Sequence, residues 1–520
     1  MLPYAARTGA LPGIERIVLR AAMVLALVVA CLLFGVVSAF GSVTFGALMA
    51  GAMIGLFLLA MPVQNLLLGV IVLAFFIVGQ LFYFAGIGQA VWVVFGMGAL
   101  LYVKWIALAS RRHGPLRLDA LSSAVVAFLL AFVLAVLVNQ PPALQALAGG
   151  KNLVLMWSVF LLVAGGFVRW EGLRRIWLLL EWALYFQVPI VVYQYFVVAP
   201  SRTSFGATAG GVEWDAVVGG FGGDPLGGGY SGGMAWFVSV MAVYGIALYR
   251  RRQIGALRLT AMLLSALLCV VLAEVKVVVV LIPAAAALVL LKDIRKHPVL
   301  VAIGIPAALA LALGMLMAYQ SLHYAGTASH STSIDQMVTK AFGYSLDPDQ
   351  INYRTGEMGR VAAVSLWFRD ALVKDPFHGV FGYGPGASRG RSIAGAGEVA
   401  RRYPFLVDRS AATQLLWDVG FAGFSAYLVA MGLGAIRAVR QSRDERGGPW
   451  KAAMLEACGA GLGMLVVMTF YGRDQLEAPA ICLFSILLLG IVALAGRERG
   501  ADATRGVNGG HAAAALVERG

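Results

Sequence analysis

The chain has 520 residues, 60% of them apolar, with a mean hydropathy of +0.83 and a formal charge of +14. A soluble domain cannot bury that much apolar surface, and apolar runs of about eighteen residues or more recur throughout, each long enough to cross a hydrocarbon core of about 30 Å as a helix. The runs are too long and too uniform for barrel strands, so the composition predicts an all-α polytopic membrane protein.

In chain order, the apolar runs predict spans near 17–40, 43–62, 66–87, 90–109, 119–138, 152–168, 175–198, 230–249, 258–273, 276–291, 299–318, 412–433, 452–471 and 478–496. The first run is too long for a signal-peptide core and is read as a retained span. The implied organisation is an N-terminal helical region 1–198, a small loop 199–229, central helices 230–318, a large loop 319–411, C-terminal helices 412–496 and an unstructured tail 497–520. The four cysteines all fall in apolar runs without metal spacing, and are read as small apolar filler.

Orientation follows from the positive-inside rule. With the N-terminus in the cytoplasm, "RRHGPLR" at 111, "RWEGLRR" at 169, "YRRRQIGALR" at 249, "KDIRKH" at 292, "RAVRQSRDERGGPWK" at 437 and the tail are cytoplasmic. These segments account for the basic excess, so topology explains the charge without nucleic-acid binding. Both termini are then cytoplasmic, and both loops face the periplasm of a bacterial inner membrane. The large loop holds ten Lys/Arg and eight Asp/Glu, a near balance that sets it apart from the basic side.

Four outer-face clusters carry candidate chemistry. The small loop, "PSRTSFGATAGGVEWDAVVGGFGGDPLGGGYSGG", sets Arg202, Glu213, Asp215 and Asp224 among glycines that let backbone N–H groups approach phosphate or sugar oxygens. Glu274 and Lys276 interrupt an apolar run in "LAEVKVVVV", where ionised groups are costly, and they can floor an outward cavity as base and phosphate partner. Residues 359–375 have the periodicity of an amphipathic helix stopped by Asp375-Pro376, with Arg360 in its first turn, Arg354 just before it and His378 beyond as an acid/base candidate. Arg401, Arg402 and Arg409 lead back to the membrane, and Arg473-Asp474 lie in a short outer turn. Arginine outnumbers lysine on this face, and its planar fork suits a lipid phosphate.

The stretch "GRVAAVSLWFRDALVKDPFHGVFGYGPGA" resembles the core signature of the O-antigen ligase and Wzy-type polysaccharide polymerase family, through Arg360, Trp367, Pro376, Gly382, Gly384 and Gly386. "DRSAATQLLWDVGFAGFSAYL" is similar to that family's next helix, with Gln414, Asp418, Gly420 and Gly423 in place. The resemblance covers about residues 200–490. It implies a metal-independent, cofactor-free GT-C-like glycosyltransferase that moves a glycan from undecaprenyl diphosphate to a sugar hydroxyl, with arginines holding the leaving diphosphate. Arg409-Ser410 stands where ligases carry a His-Asn pair, and Glu-Val-Lys stands where the family often has Ser-Arg-Gly; the first departure favours polymerase over ligase. The expected diphosphate ligands are Arg202, Lys276, Arg354, Arg360, Arg409 and Arg473, and the candidate bases are Glu274, then Asp224, then His378. The product is expected to be exopolysaccharide or capsule, with a flippase and chain-length or export proteins as further partners. The competing readings are a glycan ligase and a lipid-linked oligosaccharide transporter, the latter disfavoured because charged residues gather on one face rather than along a mid-span path.

Overall fold

The computed structural model describes residues 54–111, 119–201, 217–273 and 347–517 with brief gaps at 56, 225–227, 353–355, 391, 393 and 444–446, and scattered positions between 275 and 317. The span expected near 17–40, most of those near 43–62, 276–291 and 299–318, and the residues Arg202, Glu213, Asp215, Glu274, Lys276 and Arg354 lie outside the described residues. Residues 1–66 and 67–520 form separate compact units, and the second holds nearly all of the described elements.

Nine helices among the described residues are long and apolar enough to cross a membrane, which is the build of a multi-pass membrane protein. They are α1 (Val63–Ala85), α2 (Gly88–Ala109), α3 (Ala120–Asn139), α4 (Ala143–Ala164), α5 (Trp170–Val198), α6 (Ser231–Arg250), α12 (Gly420–Gln441), α13 (Pro449–Tyr471) and the first part of α15, Pro479–Arg499. A shorter apolar helix, α7 (Ala256–Leu272), follows α6. Between α7 and α12 come α8 (Arg360–Trp367), α9 (Pro376–Phe381), α10 (Glu398–Arg402) and α11 (Ala411–Asp418); α14 (Asp474–Glu477) links α13 to α15. Two small antiparallel ladders accompany the helices: β1 (Gly223–Asp224) with β2 (Gly228–Gly229), and β3 (Ile351–Asn352) with β4 (Glu357–Met358).

Local chemistry sets the boundaries. The Asp119 side chain accepts from Ser122 N at 2.9 Å and starts α3, and Gln140, with φ 43°, ends it ahead of Pro141-Pro142. Ser410 caps α11 in a capping box with Thr413. Gly420, with φ 70°, divides α11 from α12, because an added Cβ there would lie 2.2 Å from Val380 O. This break shifts the span expected at 412–433 to α12. The helix expected over 359–375 forms as α8 continued by a π turn, Phe368–Val373, and Asp375-Pro376 both stops it and starts α9. Helical backbone also runs on in α15 to Val517, through the stretch whose small polar composition reads as an unstructured tail.

Helix α15 is central, with 94% of its apolar window buried. It packs on α4 and α13; α13 packs on α6 and α12; α12 packs on α3; and α7 packs on α5 and α6. Phe75, Phe221, Phe237, Trp236 and Phe484 form an edge-on aromatic core, and Trp236 Nε1 donates to Gly461 O at 2.8 Å. Outward-facing side chains such as Leu137, Trp182, Ile106 and Leu257 are apolar and exposed, as lipid contact requires.

The two ends of the bundle differ. At one end Arg437 pairs with Asp119, Arg250 and Arg251 with Glu456, Arg258 with Glu181, and Lys451 with Glu498, while Arg497 donates to Gly165 O. The other end opens into a cavity.

Candidate functional site

The cavity has a volume of about 870 Å³ and draws its walls from α1, α2, α4, the turn after α9, the stretch from α10 to α11, and α14. Lys151, Asn152, Arg389, Asp408, Arg473 and Glu477 line it, with Phe82, Trp92, Tyr230, Tyr403 and Phe405 as aromatic neighbours. Charged groups and flat rings facing one space suit a ligand with an anionic part and a sugar-like or apolar part.

The charged wall is an interlocked ion-pair chain. Arg389 Nη2 donates to Glu477 Oε1 at 2.6 Å, and Arg473 Nε lies 3.4 Å from Glu477 Oε2. Arg473 Nη1 also donates to Asp408 Oδ2. Lys151 donates to the Asn152 side chain, and its ammonium lies over the rings of Trp92 and Phe95 at 4.9 and 4.5 Å. Burial pushes the Glu477 carboxyl up, but Arg473, Arg389 and Lys151 outweigh that and hold it below the usual carboxylate range. The balance reverses at Asp408, where burial dominates and raises the carboxyl despite Arg473. Burial likewise lifts Asp474 to about 6, although its Oδ2 accepts from Gly233 N.

The glycine turn of "GVFGYGPGA" places this wall rather than cradling a phosphate. Gly382, Gly384 and Gly386 all have positive φ, at 79°, 93° and 81°. Asp418 fills the nest they create: its Oδ2 accepts from Gly386 N at 2.9 Å and its Oδ1 from Ser388 N at 3.0 Å. Tyr383 N donates to Trp417 O and Gly384 N to Asp418 O, locking the turn onto the C-terminal end of α11. On its other side the turn abuts α4, where a Cβ on Gly149 would lie 2.3 Å from Gly386 N. That close approach brings Lys151 and Arg389 to one cavity.

Arg473 is the one expected diphosphate ligand that lines the cavity among the described residues. Arg360 sits at the start of α8, donates from Nε to Tyr471 O at 2.6 Å and stacks on the Tyr471 ring at 4.2 Å, so it braces the strand of chain that presents Arg473. Arg409 is half-buried beside Asp408 and is not among the cavity walls. His378 lies off the cavity: its Nδ1 is 2.7 Å from Asp375 Oδ2, and its ring stacks on Tyr383, whose hydroxyl donates to the same carboxylate at 3.1 Å. The backbone of Asp224 pairs with Gly228 in the β1–β2 ladder, and its side chain lies outside the described residues.

Four of the five charged wall residues, Lys151, Arg389, Asp408 and Glu477, are not among the candidates expected from the sequence. Lys151 had a signal, a lone cation in the otherwise apolar "ALQALAGGKNLVLMW". Glu477 sits three residues beyond the Arg473-Asp474 pair, near enough to have been grouped with it. No protein-family model matches the chain, and no curated protein sequence matches it.

Proposed function

We propose that the chain is a bacterial inner-membrane polysaccharide polymerase of the Wzy type. It transfers a glycan from undecaprenyl diphosphate to a sugar hydroxyl on another lipid-linked repeat unit. The observation that carries this reading is the cavity at one end of an apolar bundle, lined by Lys151, Arg389 and Arg473 against Asp408 and Glu477. A departing diphosphate gains charge as its bond to the sugar breaks, and preorganised guanidinium and ammonium groups stabilise that charge best where water is scarce. Trp92, Tyr403 and Phe405 supply faces for sugar rings, and exposed apolar helix surfaces supply a path for the lipid.

Orientation follows from charge. The end opposite the cavity carries Arg250, Arg251, Arg258, Arg437, Lys451, Arg497 and Arg499, which the positive-inside rule assigns to the cytoplasm. The cavity then faces the periplasm, where flipped lipid-linked repeats are presented. The departure at Arg409-Ser410 favours polymerase over ligase.

The test is direct. Purified protein in lipid nanodiscs, given undecaprenyl-diphosphate-linked repeat units, is expected to yield a ladder of products. Arg473→Ala is expected to remove the ladder while the protein stays in the nanodisc. A wild-type protein that binds the lipid-linked repeat but never lengthens it overturns the polymerase reading.

A further inference from the structure

We propose that Asp408 is the catalytic residue that takes the proton from the acceptor hydroxyl, an inference that rests on the glycosyl-transfer reading above. Two carboxylates line the cavity among its described walls, and their surroundings differ. Glu477 has both oxygens engaged by guanidinium groups, Oε1 by Arg389 and Oε2 by Arg473. Asp408 Oδ2 is engaged by Arg473, and the residue's own backbone N–H makes a minor contribution at the carboxyl; its Oδ1 makes no hydrogen bond of good geometry among the described residues, although the side chain is only 2% exposed. A buried carboxylate oxygen left unpaired is costly, and it is kept where a ligand group completes it. An incoming sugar hydroxyl is such a group, because it donates one hydrogen bond to the acceptor that lacks one.

The chain holds this oxygen in place. Asp408 lies two residues before the Ser410 cap of α11, and Ala411 N donates to Gly472 O at 2.9 Å, which fastens the start of α11 beside Arg473. The Arg473 contact therefore orients the carboxylate without consuming its second oxygen. Burial raises the Asp408 carboxyl above its ordinary range while neighbouring positive charge lowers Glu477, so the pair divides into a proton acceptor and a fixed counter-charge.

In the transfer, the acceptor oxygen forms a bond to the anomeric carbon. The bond from that carbon to the diphosphate oxygen breaks, and its electron pair leaves with the diphosphate. The hydroxyl proton passes to Asp408 Oδ1 and is later released to water. Arg389, Arg473 and Lys151 receive the leaving charge.

Among the described residues, the charged or titratable groups around Asp408 are Arg473, Glu477, Arg389, Lys151, Tyr230 and Tyr403, with Arg409 next in sequence. The experiment is steady-state polymerisation by purified full-length protein in nanodiscs, across pH, with Asp408→Asn and Asp408→Glu. Asp408→Asn keeps an oxygen for Arg473 but cannot accept the proton. Its kcat is expected to fall about a hundredfold or more, with donor KM within about threefold and the acid limb of the pH profile gone. Asp408→Glu is expected to restore part of kcat with a displaced acid limb. An Asp408→Asn protein that keeps kcat within threefold, or retains the wild-type acid limb in its residual activity, overturns the assignment. Should Asp408→Asn fail to fold, an active Asp408→Glu with an unmoved acid limb overturns it equally. Wild-type protein inactive on lipid-linked repeats instead overturns the transfer reading itself.

Discussion

The two ends of the helical bundle solve the same electrostatic problem in opposite ways. At the arginine-rich end, Glu456 has one oxygen on Arg250 at 3.0 Å and the other on Arg251 at 2.8 Å. Glu181 is closed too, accepting from Tyr185 and from both forks of Arg258. Every oxygen of these buried carboxylates is taken. At the cavity end, Glu477 is closed by Arg389 and Arg473, but Asp408 is buried with one oxygen unpaired among the described residues, and the charges line a cavity. A closed ion pair holds helices in register; an open one holds a position for something that arrives.

Equivalent substitutions at the two ends should therefore have opposite consequences. The largest effect is expected at the cavity: under the proposed glycosyl-transfer reading, Arg389→Ala removes a charge that would stabilise the leaving diphosphate, and polymer formation should fall by about a hundredfold or more. Because Arg389 also pairs with the buried Glu477 at 2.6 Å, stability should fall as well, so the deciding readout is the specific activity of the folded fraction; a variant that loses stability but keeps that activity would give Arg389 a purely structural part. At the other end, Glu456→Ala leaves two arginines facing each other. Unfolding in denaturant should show a loss of about 3 kcal/mol, at the low end for a buried pair because Arg250 reaches solvent, with the folded fraction still active.

Between the ends, Gly382→Ala tests the glycine turn as a spacer. Its φ is 79°, and a Cβ would meet Asp418 O at 2.5 Å, so stability should fall by about 2 kcal/mol. A variant of normal stability would mean that the turn does not bear on α11 in this way.

The smallest effect concerns pH. The Asp474 carboxyl is raised to about 6 in the folded protein, from an ordinary value of 3.8. A group raised on folding contributes stability that is complete below its unfolded value and lost as pH rises through its folded value. Melting temperature should therefore decline between about pH 4 and 6, and Asp474→Asn should flatten that decline. An unchanged slope would remove Asp474 from the buried charges of the cavity end.

Much of the helical layout was legible because apolarity alone decides it. The expected spans at 119–138, 230–249 and 452–471 correspond to α3, α6 and α13 within a few residues. Legibility fails where a polar residue is buried by its neighbours. Hydropathy alone puts the start of a span at residue 152, whereas α4 begins at Ala143 and carries Lys151 inside it, sheltered by Trp92 and Phe95 from another helix. The glycines of "GVFGYGPGA" were visible as a tight turn, but a nest for a ligand and a nest for Asp418 have the same local sequence. Only the distant residue that fills the nest distinguishes them.

The apolar helices, the alternation of basic and near-neutral connections, and the helix stop at Asp375-Pro376 are written locally in the chain, because hydration cost and backbone sterics act on each segment independently. Which charges share a cavity is set by packing instead. Lys151, Arg389, Asp408 and Glu477 are far apart in the chain, and whether a carboxylate oxygen is paired or left open depends on groups that only packing brings within reach.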